Sequence, residues 1–440
     1  MARGFGGHEE RFRNGAAGYG EAPHRSMTAR ELLLGSRFTA TGAKDGDGGS
    51  FALWGRAAQS SFDGREGTFS LDGETTTAML GADYARGKWL VGVALMQSAG
   101  EGGYRDTKAT PRPSSQDCRP DGPAPLCREA VREGDGKVEA SLTAAVPYAA
   151  LQATERLRLW GAAGHGAGEV ELKPDTGGSL ETDVSWTMAA AGLRGDLLAP
   201  PAEGSGPSLA LTSDALWART SSEKTGGLAA SDSDVTRLRL GLEGSWRIAL
   251  AGGGHLTPRV EIGARHDDGD AEAGFGVEVG GGLAWSEPRL GLVLSVEGRV
   301  LLAHASEDIE ERGFAASVVF DPDPATKRGP SFSLRREAGG PARGGLDALF
   351  APAPLEGRAA PVSGEGRWTA EAAYGFPAFG GRFTAGPHMG VGLAADARDY
   401  SLGWRLAHEA DLDLGLHATR RESAAAEPVH GVRFAFTARW

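Results

Sequence analysis

The sequence predicts an all-β protein: a closed, antiparallel, up-and-down transmembrane β-barrel of about eighteen strands behind a short N-terminal helix. Three observations predict it. From Phe51 to the last residue, apolar side chains recur with period two, the alternation of a strand and not of a helix. Many of these runs exceed the ~5–6 residues of ordinary soluble strands and match the ~9–11 that a tilted strand needs to cross a bilayer. The connections between them alternate between tight and long, as periplasmic turns and outer loops do.

Composition narrows the alternatives. Glycine makes up 68 of 440 residues, about twice the usual share, without the three-residue period of collagen. No run of 18 apolar residues exists, which excludes membrane-spanning helices. A net charge of −12 and the absence of a Lys/Arg cluster argue against a nucleic-acid partner.

The elements follow in chain order. Residues 1–25 are rich in Gly, Arg and Glu and read as disordered. They carry Arg3, Arg11, Arg13 and Arg25 but no apolar core, so no signal peptide is expected; a chain that crosses a membrane would then continue a longer precursor, or start elsewhere. Thr28 and Glu31 form a capping box ahead of Leu32-Leu33-Leu34, and Gly35 stops it, which predicts a short helix over 28–34. Residues 41–50 are a Gly/Asp linker, so the chain divides into a lead-in, 1–50, and a barrel, 51–440.

The predicted strands are 51–61, 74–85, 88–99, 137–150, 154–166, 180–197, 207–220, 234–250, 254–266, 273–286, 289–303, 312–321, 329–336, 365–375, 382–393, 398–408, 410–420 and 429–440. In 237–250, Leu238, Leu240, Leu242, Trp246, Ile248 and Leu250 oppose Arg237, Arg239, Glu243 and Arg247. In 256–265, Leu256, Val260 and Ile262 oppose Arg259, Glu261 and Arg265. In 289–302, Leu290, Leu292, Leu294, Val296 and Val300 oppose Glu297 and Arg299. The last run sets Val432, Phe434, Phe436 and Trp440 against Arg433 and Arg439. Tight connections such as Arg86-Gly87 and Glu287-Pro288 alternate with long ones such as 100–136 and 337–364. Trp and Tyr residues near strand ends suit interfacial girdles or ordinary sheet packing.

In lipid the apolar face looks outward, and the charged face lines a wet interior. The expected lumen-lining residues are Arg237, Arg239, Glu243, Arg247, Arg259, Glu261, Arg265, Glu297, Arg299 and Arg433. Such pairs are individually weak, about 0–1 kcal/mol where hydrated. Together they keep a lumen wet enough for an extended polypeptide, or simply fill it with paired side chains. Cys118 and Cys127 lie in a Pro-rich polar stretch without a CxxC partner; they read as a disulfide closing a small loop, or as two free thiols.

No catalytic constellation stands out. GxSxG, HExxH and Walker patterns are absent, and His165, His255, His388, His408, His417 and His430 show no ligand spacing. His266-Asp267-Asp268-Gly269-Asp270 and Glu307–Arg312 read as solvated outer loops. No metal, cofactor or enzymatic activity is expected.

Several of these segments resemble the C-terminal translocator domain of bacterial autotransporters. Leu53-Trp54-Gly55-Arg56, followed by Phe62-Asp63-Gly64, is similar to that family's opening strand. Leu80-Gly81-Ala82-Asp83-Tyr84 and Trp89–Leu95 resemble its next two strands. Phe434, Phe436 and Trp440 resemble an outer-membrane assembly signal. The resemblance covers roughly 51–440, with 28–50 as the lead-in. It implies residence in the bacterial outer membrane, contact with its lipid and with the barrel-assembly machinery, and anchoring and export of an N-terminal passenger. It also implies twelve strands, fewer than the alternation predicts, and a lumen-threading helix, for which 28–34 would be short. A passive porin-like pore and a soluble all-β adhesin or structural protein are the other readings.

Overall fold

The structure, a computed structural model, describes residues 37–42, 49–66, 69–106, 135–175, 178–199, 204–225, 230–270, 273–305, 311–339, 342, 366–395, 397–408, 412–423 and 428–439. The expected helix over 28–34, Cys118, Cys127 and Trp440 lie outside the described residues.

Nineteen strands form one sheet closed on itself. In chain order they are β1 (Arg37–Thr41), β2 (Gly49–Glu66), β3 (Phe69–Arg86), β4 (Trp89–Asp106), β5 (Gly136–Thr154), β6 (Leu157–Pro174) and β7 (Leu180–Leu198). There follow β8 (Gly206–Ser222), β9 (Ser231–Ala249), β10 (His255–Gly269), β11 (Gly274–Glu287), β12 (Leu292–His304) and β13 (Arg312–Phe320). The rest are β14 (Gly329–Gly339), β15 (Arg367–Ala378), β16 (Phe383–Leu393), β17 (Ala397–His408), β18 (Leu412–Ser423) and β19 (Val429–Arg439). From β2 to β19 every strand pairs antiparallel with the next.

The eighteen expected strands are the antiparallel set β2–β19, and the nineteenth is β1, in residues that read as lead-in. β1 pairs antiparallel with β2 and parallel with β19, so it closes the ring. Five residues carry too little period-two signal to be recognised alone.

Several strands also run further than expected. β2 and β3 continue through the predicted loop 62–73, leaving two residues between them. β4 reaches Asp106 and β6 reaches Pro174. These extensions carry Gly, Asp and Glu, which read as turn residues, yet the ladders hold them: Asp72 lies opposite Gly103, and Gly103 opposite Lys137.

The alternation acts as predicted for a wall between lipid and water. On β9, Leu238 and Leu240 are 48% and 51% exposed, while Arg239 between them is 5% exposed. Val260 and Ile262 of β10 are exposed and Glu261 is buried. The described residues therefore present leucine, valine and tryptophan to the outside and bury charge within. Three of the prolines within strands stand away from the strand ends: Pro147, Pro258 and Pro387. Each keeps its place in one ladder, opposite Val93, Leu283 and Trp404, and lies at a gap in the ladder on its other side. Proline has no N–H to donate, and strands lose a rung where it faces a neighbour.

Candidate functional site

The lumen face of β7–β12 holds a continuous ionic chain. Period two turns Arg237, Arg239 and Glu243 of β9 inward, and antiparallel pairing sets them beside the inward Glu261, Arg265 and Asp267 of β10. Arg239 is the hub. It donates to Glu261 and to Glu278 of β11, with Asp214 of β8 at 4.0 Å. Glu278 also accepts from Arg299 of β12, and Arg299 donates to Glu311, just before β13. Glu311 accepts from Arg265 as well, and Arg265 lies 2.8 Å from Asp267. Asp267 accepts from Arg237 at 2.6 Å and has His304 Nε2 at 3.4 Å.

In the other direction Arg259 reaches both Glu243 at 3.0 Å and Glu261 at 3.2 Å. Glu243 also accepts from Arg194 of β7 at 2.9 Å. Six arginines, 194, 237, 239, 259, 265 and 299, thus meet six carboxylates, 214, 243, 261, 267, 278 and 311. Burying such charges is costly unless each is paired and hydrogen-bonded, and here the pairing is reciprocal. The wall is polar yet internally balanced.

Of the expected lumen-lining residues, Arg237, Arg239, Glu243, Arg259, Glu261, Arg265 and Arg299 are joined in this chain. Arg247 and Glu297 are half-buried on the same strands. Arg433 sits elsewhere, on β19 opposite His417. Arg194, Asp214, Glu278 and His304 escape sequence reasoning because their partners lie on other strands and meet them only through the ladder register. Asp267 and Glu311 are corrections: both read as solvated loop residues. Asp267 is instead 2% exposed and belongs to β10, and it follows Arg265 at the same two-residue spacing.

Two smaller clusters share the lumen. Trp54 Nε1 donates to the Tyr148 hydroxyl at 2.9 Å, and that hydroxyl donates to Asp83 at 3.0 Å, joining β2, β5 and β3. Further round the ring His388 of β16 and His417 of β18 meet edge to face at 4.7 Å. They flank Gly403 of β17, which stands opposite both. A Cβ at Gly403 would lie 2.1 Å from the Leu416 carbonyl oxygen, so only glycine leaves room for the two imidazoles to meet. Sequence spacing gives no sign of this pair, since the ladder register alone creates it. Among the described residues no group of three or more His, Cys, Asp or Glu could hold a metal ion.

A family profile described as autotransporter beta-domain matches residues 53–282, from β2 into β11. No curated protein matches the sequence. Among solved structures, the beta domain of the Bordetella autotransporter BrkA is 17% identical, with 57% of this chain and 91% of that chain covered and a TM-score of 0.33. BauA, the ferric preacinetobactin receptor of Acinetobacter baumannii, is 13% identical over 88% of this chain and 68% of its own, with a TM-score of 0.41. The ferric-catecholate import receptor Fiu from E. coli K12, in its open form, is 6% identical over 87% and 69%, also at 0.41. The family profile carries the assignment; these structural likenesses do not.

Proposed function

This chain belongs to the autotransporter beta-domain family, and we propose on that premise how its barrel serves as the outer-membrane translocator of an N-terminal passenger. The observation that carries the reading is the sidedness of the wall. Aliphatic and aromatic side chains meet hydrocarbon around the ring, while the lumen side of β7–β12 is an ion-paired surface. Hydrocarbon outside anchors the domain, because strands paired edge to edge around a ring satisfy their backbone within the sheet instead of in lipid. Along the ionic chain the described residues offer a passing polypeptide paired charge instead of an apolar surface.

The beta-domain is a transport barrel and not a catalytic one. We extend this to the whole protein and assign it no enzymatic step and no cofactor of its own. We assign the division into a lead-in, 1–50, and a barrel, 51–440, with β1 as the part of the lead-in that joins the wall. Arg237, Arg239, Glu243, Arg247, Arg259, Glu261, Arg265, Glu297, Arg299 and Arg433 take the role of keeping the lumen wet. Phe434, Phe436 and Trp440 take the role of the segment recognised by the barrel-assembly machinery; Phe434 and Phe436 stack on β19 with ring centroids 6.1 Å apart. Cys118 and Cys127 are assigned to one disulfide.

The test is made in cells. A tag fused ahead of Met1 is expected at the surface of intact cells, and the chain is expected to run faster on a gel unheated than boiled. A tag that stays inside while the gel shift persists, together with liposomes that swell in small sugars, would favour a passive pore. Loss of the gel shift and extraction without detergent would replace the membrane reading with a soluble β-protein.

A further inference from the structure

The outer face of the wall differs from one flank of the ring to the other. Near the long loops, outward positions on β13, β14, β17 and β18 carry Arg312, Arg336, Arg398 and Arg420, all exposed. The ladders fix their direction. Arg312 stands opposite Val300, Arg336 opposite Trp368, Arg398 opposite Leu393 and Arg420 opposite Tyr400, and these four partners are exposed on the lipid side. Each arginine lies seven to ten residues from the short-turn end of its strand. A tilted strand crosses hydrocarbon in about 9–11 residues, so the four guanidiniums sit where hydrocarbon gives way to headgroups. At the same distance β4, β5, β6 and β7 show Gln97, Ala145, Ala167 and Ala189. On that flank the outward cations Arg105, Lys137, Lys173 and Arg219 come later, thirteen to seventeen residues from the short-turn ends. Arg105, Lys173 and Arg219 are also paired, with Asp135 at 3.7 Å, Glu139 at 2.7 Å and Asp232. Of the four arginines at headgroup level, Arg420 has Glu422 at 2.7 Å; Arg312, Arg336 and Arg398 have no carboxylate partner among the described residues.

We propose that this crescent, from β13 to β18, holds a glycolipid of the outer leaflet by the phosphates of its headgroup. The proposal rests on the membrane reading above. A guanidinium stays charged and presents a planar fork of N–H donors that fits phosphate oxygens. Arg336 is already positioned for this, with its guanidinium 4.9 Å from the centroid of the Trp368 ring. Stacking occupies the face of the guanidinium and leaves its N–H edge for a ligand. The register sets the spacing. Arg336, Trp368, Leu393 and Arg398 form one row across β14, β15, β16 and β17. Three steps between strands separate the two arginines, about 14 Å along the sheet. Trp368 and Leu393, 40% and 44% exposed, give the row an apolar floor. A disaccharide with a phosphate at each end fits such a row, with one phosphate on each arginine and the sugar rings over Trp368. Its acyl chains then run down the wall over the exposed Val391 and Leu402. Arg312 and Arg420 extend the positive surface on either side. An aromatic belt with cations at its outer edge suits an anionic lipid surface, whereas a soluble anion has no chains to cover the floor.

The experiment uses the full chain in detergent micelles doped with lipid A, and native mass spectrometry counts the lipid that stays bound. Lipid A carrying both phosphates is expected to remain on the parent chain. Arg336→Gln combined with Arg398→Gln is expected to weaken its retention about tenfold or more. Lipid A stripped of both phosphates is expected to be lost from the parent chain to a similar degree, an arm that depends on no variant folding. Lys137→Gln with Lys173→Gln makes the same change in net charge on the other flank and is expected to leave retention unchanged. Equal retention of the stripped lipid, or an equal loss in the lysine pair, would overturn the proposal. So would displacement of the lipid by excess inorganic phosphate, which would make the crescent a plain anion site. A two-chain species that excludes the lipid would give the surface to a second copy instead. Heat-modifiable gel mobility, run on every sample, keeps the failures apart: a shifted band without phosphate-dependent retention sinks the lipid site alone, while a parent chain without the shift sinks the membrane reading as well.

Discussion

Glu278 shows what a single charge needs inside this wall. It is 1% exposed and accepts from Arg299 on the neighbouring β12 and from Arg239 on β9, two strands away. Removing one member of a buried pair leaves its partner uncompensated, at a cost of about 3–5 kcal/mol. Glu278→Gln is therefore expected to destabilise the barrel by that order, read as a lower urea midpoint in lipid vesicles. An unchanged midpoint would mean that water reaches these guanidiniums freely. Asp323 offers a contrast outside the membrane, in the turn 321–328. It accepts from the Thr326 amide at 3.1 Å and from the Thr326 hydroxyl. The side-chain bond first, and the backbone bond with it, hold its carboxyl below the usual range. A depressed pKa stabilises the turn at pH values above the unfolded value, about 3.9, and that contribution is lost as pH falls through the folded value. The Asp323 carboxyl carbon, followed by NMR, should titrate below an unstructured aspartate, and Thr326→Ala should bring it back up. A titration at the ordinary value in the parent chain would show the turn to be unformed.

At the scale of the strand, adjacent residues have opposite fates. Leu242 of β9 is exposed to lipid, and Glu243 beside it is buried in the ionic chain. Leu242→Arg is expected to cost up to about 2–4 kcal/mol, the penalty of a cation on the lipid face near the bilayer midplane. Leu242→Phe should be nearly neutral, so the two midpoints in the same vesicles separate lipid exposure from packing. This alternation made the antiparallel strands and seven members of the ionic chain legible in the sequence. Legibility ended where its physical cause ends. Toward the rim of long loops the outward residues turn polar, as at Lys137 and Glu139 of β5 or Asp232 and Asp234 of β9. Without hydrocarbon to exclude them, Asp72, Gly102 and Gly103 look like loop residues, and only their neighbours' ladders hold them in strands. The same limit hid Asp267 and the His388–His417 pair. Their surroundings are set by register between strands, which no single stretch of sequence records.

Closure belongs to the whole molecule. Each wall strand has two neighbours, and β19 has a particular place: it pairs with β18 along ten rungs and with β1 along five. A two-layer sandwich could lose a terminal strand and keep its core, since its apolar residues meet one another. Here the apolar residues meet lipid, and the sheet itself supplies the only partners for the backbone. Removing Val429–Trp440 would expose the edge of β18 and strand β1 on a single neighbour. The cost falls on several backbone groups at once and cannot be recovered from water. Truncation after Pro428 is therefore expected to abolish the fast-migrating band of the unheated protein and its insertion into the outer membrane. Removal of residues 1–27, which contribute no rung to the described sheet, should leave both intact. A truncated chain that still inserts and still shows the gel shift would mean that β18 can close directly on β1 or β2, and that the ring tolerates a change in strand number.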